Sequence, residues 1–131
     1  MGAWSSDPFG NDTAGDWAYG LEDVDDLSLI EETIQKLLDV GDDYLESPAA
    51  EEAIAAIDTI ARLKGRFYAK NAYTESVDAW VATHQIVPPA PLVLNALKAL
   101  DRILSDQSEA MELWSESDDF EAWKKHISDL R

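Results

Sequence analysis

Two histidines, His84 and His126, and no cysteine stand among 27 aspartates and glutamates in a chain of 131 residues. That inventory restricts the chemistry. Without cysteine there is no disulfide, no thiolate metal ligand and no thiol nucleophile. No HExxH, GxSxG or phosphate-binding glycine loop occurs, so zinc hydrolysis, serine acyl transfer and nucleotide chemistry lack their usual residues. His84 closes a short helical pattern just before a proline run, where a structural role fits better than catalysis. His126 follows two lysines near the end of the chain. Glu22, Asp23, Asp25 and Asp26 offer the hard oxygen ligands that calcium takes, yet the EF-hand spacing and its glycine are missing. Carboxylate pairs are so frequent that no single pair marks a general acid and base. The residues therefore predict no catalytic group, no cofactor and no metal.

What the carboxylates do supply is charge. Ten Lys and Arg against 27 Asp and Glu give a net −17. The excess is uneven: residues 1–60 hold sixteen acids and one base, Lys36, whereas residues 61–131 hold eleven acids and nine bases. This balance argues against direct nucleic-acid binding, which needs cations to neutralise phosphates, and against an anionic membrane surface. It fits either a solvated acidic surface or an acidic docking face for a basic protein, where charge speeds encounter and selects the partner. The candidate face comprises Glu22, Asp23, Asp25 and Asp26, then Asp39, Asp42, Asp43 and Glu46, with Tyr44 as an aromatic anchor. The two groups flank one helical segment and bracket one face only if the short connections fold back. Tyr19, Tyr44 and Tyr68 are further interface candidates, because tyrosine concentrates at binding hot spots. Arg62, Lys64, Arg66 and Lys70 read as a basic helix end that complements the negative end of the helix dipole.

The elements that position these groups are helical. Asn11 or Asp12 can cap a short helix with Ala14, Trp17, Ala18 and Leu21 at helical spacing. Leu27, Ile30, Ile34, Leu37 and Leu38 form the stripe of a second helix, started by a Ser28/Glu31 capping box or by Asp26 and stopped at Gly41. Ser47-Pro48 starts a third, with Ser47 as cap, whose Ala53, Ile54, Ile57, Ile60, Ala61 and Lys64 recur at three- and four-residue steps up to Gly65. Thr74 can cap a short helix through Val77, Trp80 and Val81. Residues 85–91, with three prolines, form a rigid connector. A long helix with Leu92, Val93, Ala96, Leu97, Leu100, Ile103 and Leu104 facing inward follows, and two short helices end the chain. No strand alternation appears. The pattern predicts one all-α domain over residues 1–131, a bundle of about six to seven helices, with residues 1–11 as an ordered anchoring segment. No apolar run approaches the ~20 residues of a membrane span. The opening lacks the basic and apolar regions of a secretory signal, so the expected location is the cytoplasm.

The opening residues Met1-Gly2-Ala3-Trp4, Pro8-Phe9, Asn11-Asp12, Ala14 and Asp16-Trp17 resemble the start of a bacterial family catalogued as domain of unknown function 4259. The likeness continues through Tyr44-Leu45-Glu46, Ala49 with Glu51-Glu52-Ala53, Ala79-Trp80, residues 99–104 and Glu112-Leu113-Trp114. Ser5 and Asp7 depart from it, since the family usually has glycine there. The resemblance implies a small bacterial cytoplasmic protein and implies no activity. Read physically, Trp4, Phe9 and Trp17 would pin the N-terminal segment to the bundle. Asn11 and Asp12 would satisfy donors at a helix start, and Asp16 would serve a buried indole or a loop.

The leading expectation is an acidic module that neutralises or regulates a basic protein partner, as an immunity protein does its toxin. This is an analogy of class. The alternatives are an enzyme of unrecognised type using carboxylates, or a structural or housekeeping protein. Crowding of like charge carries its own expectation. Stability should rise with added salt up to about 0.15 M, where the Debye length falls to about 8 Å. Thermal melts across that range check it, and a flat response would mean that the acids are dispersed or locally paired.

Overall fold

A computed structural model describes residues 12–41, 43–65, 75–105, 108–116 and 120–129. Trp4, Phe9 and Asn11, the expected anchoring segment 1–11, Asp42, Tyr68 and the Thr74 cap lie outside these residues. Among the described residues seven helices run in chain order: α1 Asp12–Leu21, α2 Ser28–Leu38, α3 Ser47–Leu63, α4 Glu75–Thr83, α5 Ala90–Ile103, α6 Glu109–Ser115 and α7 Phe120–Asp129. Among the described residues there is no strand, only one isolated parallel bridge between Leu45 and Ser108. The all-α reading of the sequence holds.

The third helix is the axis. An exposed helix shows one apolar stripe, and a helix that is apolar all round must be covered on every side. Residues 53–62 are buried without interruption, from Ala53 through Ile57 to Arg62. Ala50, Ala53, Ala55 and Ala56 carry no side chain beyond Cβ, which lets neighbours pack close. Helices α1, α2, α4, α5 and α6 all pack on α3, and α2 also packs on α5. Each covering helix buries one stripe: Ala14, Trp17, Ala18 and Leu21 on α1, Ile30, Ile34 and Leu37 on α2, and Leu92, Ala96, Leu100 and Ile103 on α5.

The starts and stops follow local chemistry, with two adjustments. Gly41 (φ 63°) and Gly65 (φ 85°) take the left-handed conformation that ends α2 and α3 at no steric cost. Asp26 accepts from the Ser28 amide at 3.0 Å, so it and not a Ser28 capping box satisfies the start of α2. Glu46 holds the extended N-cap position of α3, with the proline in the first turn, so Ser47 lies inside the helix and not before it. Residues 84–89 carry no regular element, and α5 starts at Ala90 with Pro91 in its first turn.

Two indoles are fastened across the bundle. Trp17 Nε1 donates to Thr33 Oγ1 at 2.9 Å, and Thr33 in turn donates to the Leu29 carbonyl. The partner of the Trp17 indole is thus Thr33 on α2. Asp16, next to it in sequence, turns to the exposed side of α1. Trp80 Nε1 on α4 donates to the Val24 carbonyl at 2.8 Å and so holds the α1–α2 loop. Each bond removes the cost of burying an unpaired indole N–H.

Arg62 corrects the sequence reading. It is no solvated base at a helix end, being only 2% exposed. Its Nε donates to Asp58 Oδ2 at 3.2 Å one turn earlier, and its Nη1 donates to Asp78 on α4. The reason is position: α3 is enclosed on all sides, so a charge in its last turns must find countercharge within the protein. Removing one member of a buried ion cluster typically costs about 3–5 kcal/mol, because the remaining charges stay buried. Asp58→Asn should therefore lower the urea-unfolding free energy by that order, while Lys64→Ala, on the exposed next turn, should change it by less than ~0.5 kcal/mol. A loss below ~1 kcal/mol for Asp58→Asn would show that the cluster does not hold α3 to α4.

Candidate functional site

The apolar stripe of α2 faces the core, so its other side must face water. Ser28, Glu31, Glu32, Gln35, Lys36 and Asp39 are all exposed there. The helix spans eleven residues, roughly 16 Å at 1.5 Å per residue. The α1–α2 loop carries Glu22, Asp23, Asp25 and Asp26 at one end, and the α2–α3 loop carries Asp39, Asp43, Tyr44 and Glu46 at the other, all exposed. The two acidic groups are therefore separated by the length of α2 and do not form one cluster. What joins them is the outer side of α2 with Glu31 and Glu32. Residues 22–46 contain ten acids and the single base Lys36.

The first loop is held by a clasp. The His84 ring stacks on Trp80 with centroids 4.5 Å apart and planes 9° from parallel. Its Nδ1 lies 2.9 Å from the Trp80 carbonyl, and its Nε2 lies 3.1 Å from Asp25 Oδ1. A carbonyl and a carboxylate only accept, so both contacts are hydrogen bonds only when the imidazole carries both protons. The hydrogen bond to Asp25 is the main cause that pushes the His84 pKa up, followed by the Trp80 carbonyl. Nearby, hydrogen bonds from Ser28 hold the Asp26 carboxyl below its usual range. The structural role expected for His84 is this grip on the acidic loop.

The second loop is held by a cation and by α6. Arg102, near the end of α5, donates from Nε to the Gly41 carbonyl at 3.0 Å, from Nη2 to the Asp43 carbonyl, and from Nη1 to Ser105 Oγ at 2.8 Å. Leu45 is fully buried, and its carbonyl accepts from the Glu109 amide at 2.8 Å. Ser108 caps α6 by accepting from the Met111 amide. Tyr44 is 42% exposed, and its hydroxyl donates to Glu112 Oε2 at 2.7 Å. That hydrogen bond pushes the Tyr44 pKa up to about 12, with burial and the charges of Glu112, Glu109 and Glu46 adding to it. Tyr44 is thus held upright within a group of carboxylates. Tyr19 on α1 is more exposed, at 66%.

Between the loops the surface is concave. A shallow groove of about 360 Å³ is lined by Glu31, Glu32 and Gln35 of α2, by Pro89 of the connector, and by Pro91, Leu92 and Asn95 of α5. A smaller depression of about 190 Å³ on the other flank of α2 includes Glu32 and Glu52, but also Lys36. The sequence-derived face omitted Glu31 and Glu32. The signal was present, since the 27/30/34/37 stripe places 31, 32 and 35 opposite the core. Arg102 and Glu112 had no local signal, because they reach the loop from 61 and 68 positions away. Among the described residues no three His, Cys, Asp or Glu are grouped to hold a metal ion, and no helix is long and apolar enough to cross a membrane.

The chain belongs to the family described as Domain of unknown function (DUF4259), whose sequence model matches residues 2–126. No curated protein and no solved structure matches it.

The clasp has a definite pH sign. The His84 pKa is raised in the fold above the 6.5 of a free histidine. Its contribution is therefore fully present below that value and is lost as pH rises through the folded pKa. Stability should fall between about pH 6 and pH 8, and Asp25→Asn should flatten that decline. Urea unfolding at both pH values measures this, and an NMR titration of the His84 ring gives its midpoint directly. A midpoint below 6.5 would remove the ion-paired clasp.

Proposed function

We propose that this protein is an acidic protein-binding module that neutralises or regulates a basic protein partner in the bacterial cytoplasm, in the manner of an immunity protein against its toxin. The observation that supports the reading is the strip of exposed acids along the outer side of α2 and at both of its ends. Glu22, Asp23, Asp25 and Asp26 lie at one end, Glu31 and Glu32 along the middle, and Asp39, Asp43 and Glu46 at the other end. Lys36 is its only base.

The strip is built to stay in place. Both of its ends are loops, and each loop is tied to the body by long-range hydrogen bonds, through Trp80 and His84 at one end and Arg102 and Glu109 at the other. Fixed charges on a fixed frame lose little conformational entropy on binding. Their field steers an oppositely charged protein before contact. Many toxins that act on nucleic acid are basic enzymes, and a strip of carboxylates offers them the charge pattern of a phosphate backbone. Tyr44, half-exposed and hydrogen-bonded within the carboxylates, supplies an aromatic contact of the kind that concentrates binding energy.

The test begins with the partner that co-purifies with the protein from its own cells, followed by association kinetics across ionic strength. Association should be fast at low salt, up to ~10⁸–10⁹ M⁻¹s⁻¹, and should slow steeply as salt rises, while dissociation changes less. Charge reversal by Asp25→Lys with Asp43→Lys should slow association about tenfold or more, whereas Asp101→Lys on α5 should change it much less. A neutral or acidic partner, or an association rate independent of salt, would overturn the reading.

A further inference from the structure

Three acids of the strip already have work within the protein. Asp25 meets His84, Asp26 accepts from the Ser28 amide, and Asp39 accepts from Gln35. The carboxylates of Glu31 and Glu32, like those of the loop acids Glu22, Asp23, Asp43 and Glu46, have no ion pair or hydrogen bond to another side chain among the described residues, and what sets them apart is their position. Glu31 and Glu32 stand at the rim of the 360 Å³ groove whose other wall is Pro89, Pro91 and Leu92. The smaller depression also sets Glu32 beside Leu29 and Ala49, but it holds the base Lys36, whereas the larger groove is lined by no base. The segments that form the apolar wall also bear, among the described residues, two exposed large aliphatic side chains, Val87 at 86% and Leu94 at 55%. Val87 is followed by Pro88 and Pro89, whose rings restrict the backbone there, so this side chain is presented without the freedom of an ordinary loop.

From this combination we propose that the α2–α5 groove is the specificity pocket of the acidic face, and that its occupant is an extended segment of the basic partner bearing an arginine or lysine next to an apolar residue. The proposal rests on the acidic-module reading and adds the place and chemistry of recognition to it. Long cationic side chains lay their methylenes on apolar surface while the charged head finds a partner. Here the stem lies along Pro89, Pro91 and Leu92, and the head meets Glu31 and Glu32. The adjacent apolar residue rests on Leu94 or Val87. The groove volume, at the small end of ligand-sized pockets, fits one such side chain. The charged loops at either end attract any basic protein, and the groove selects among them. Discrimination then comes from the union of charge and apolar fit.

The probe is a blocked hexapeptide of alternating arginine and leucine, titrated into the full-length protein and followed by amide NMR. The shifts should centre on residues 31, 32, 35, 92, 94 and 95. Glu31→Gln with Glu32→Gln, which keeps size and exposure, should weaken binding about tenfold. A peptide of alternating arginine and glycine should bind several-fold more weakly, since it lacks the apolar contact. Equal binding of the two peptides would overturn the proposal, as would an unchanged affinity in the double variant. Shifts confined to residues 22–26 or 43–46 would reject the groove and leave the acidic-module reading standing. That reading fails separately, if the native partner is neutral or associates at a rate independent of salt.

Discussion

The enclosure of α3 is the constraint on which the rest depends. A seventeen-residue helix with buried residues on every side must be surrounded, and five other helices are placed by that need. The same enclosure explains the buried charges. Arg62 stands where no water reaches it, so Asp58 and Asp78 must come to it. A buried ion cluster contributes little net stability compared with apolar packing, but losing one member is costly. Its effect here is positional, since it fixes where α4 lies against α3. The end of α4 then carries Trp80 and His84 to the α1–α2 loop. A central burial requirement thus sets the placement of a surface loop through three consecutive contacts.

The carboxylates divide by use. Those at the loops are partly engaged in capping and in contacts with His84, which reconcile a strongly acidic surface with a fold. Those in the middle of α2 make no such contribution to the fold. Concentrated negative charge opposes compaction, so its retention on one side has a cost that interior packing must offset. A docking role gives that cost a return. The only base of the strip, Lys36, lies on the flank away from the groove, beside Ala49 and Glu52.

The local parts of this architecture were legible in the sequence. Gly41 and Gly65 marked helix ends because positive φ is a property of one residue and its neighbours. The stripes of α1, α2 and α5 were legible because burial there follows helical period. Arg62 was misread because burial depends on what surrounds a helix, which periodicity along that helix does not contain. Its Asp58 partner, one turn earlier, was a local hint, but Asp78 lies on another helix. The candidate face was legible in charge and not in shape. Acids at the two ends of α2 were evident from spacing alone, while the groove requires α5 alongside, and that packing emerges only in three dimensions. The grip of Arg102 on the α2–α3 loop had no sequence signal, because its acceptors are the Gly41 and Asp43 carbonyls, which every residue type possesses equally.

The attachment of the α2–α3 loop also bears on the order in which the molecule assembles. Tyr44 meets Glu112 across 68 positions of sequence, and Arg102 meets Gly41 across 61. Closing loops of that size costs entropy that only later contacts return. The α2–α3 hairpin, by contrast, joins neighbours in the chain and can form first. The acidic loop at the tip of that hairpin therefore acquires its fixed shape only when α5 and α6 arrive. A chain emerging from the ribosome presents its most negative half early, in a form whose charges are not yet arranged. Its capacity to discriminate among cations comes with the second half, which contributes little net charge of its own.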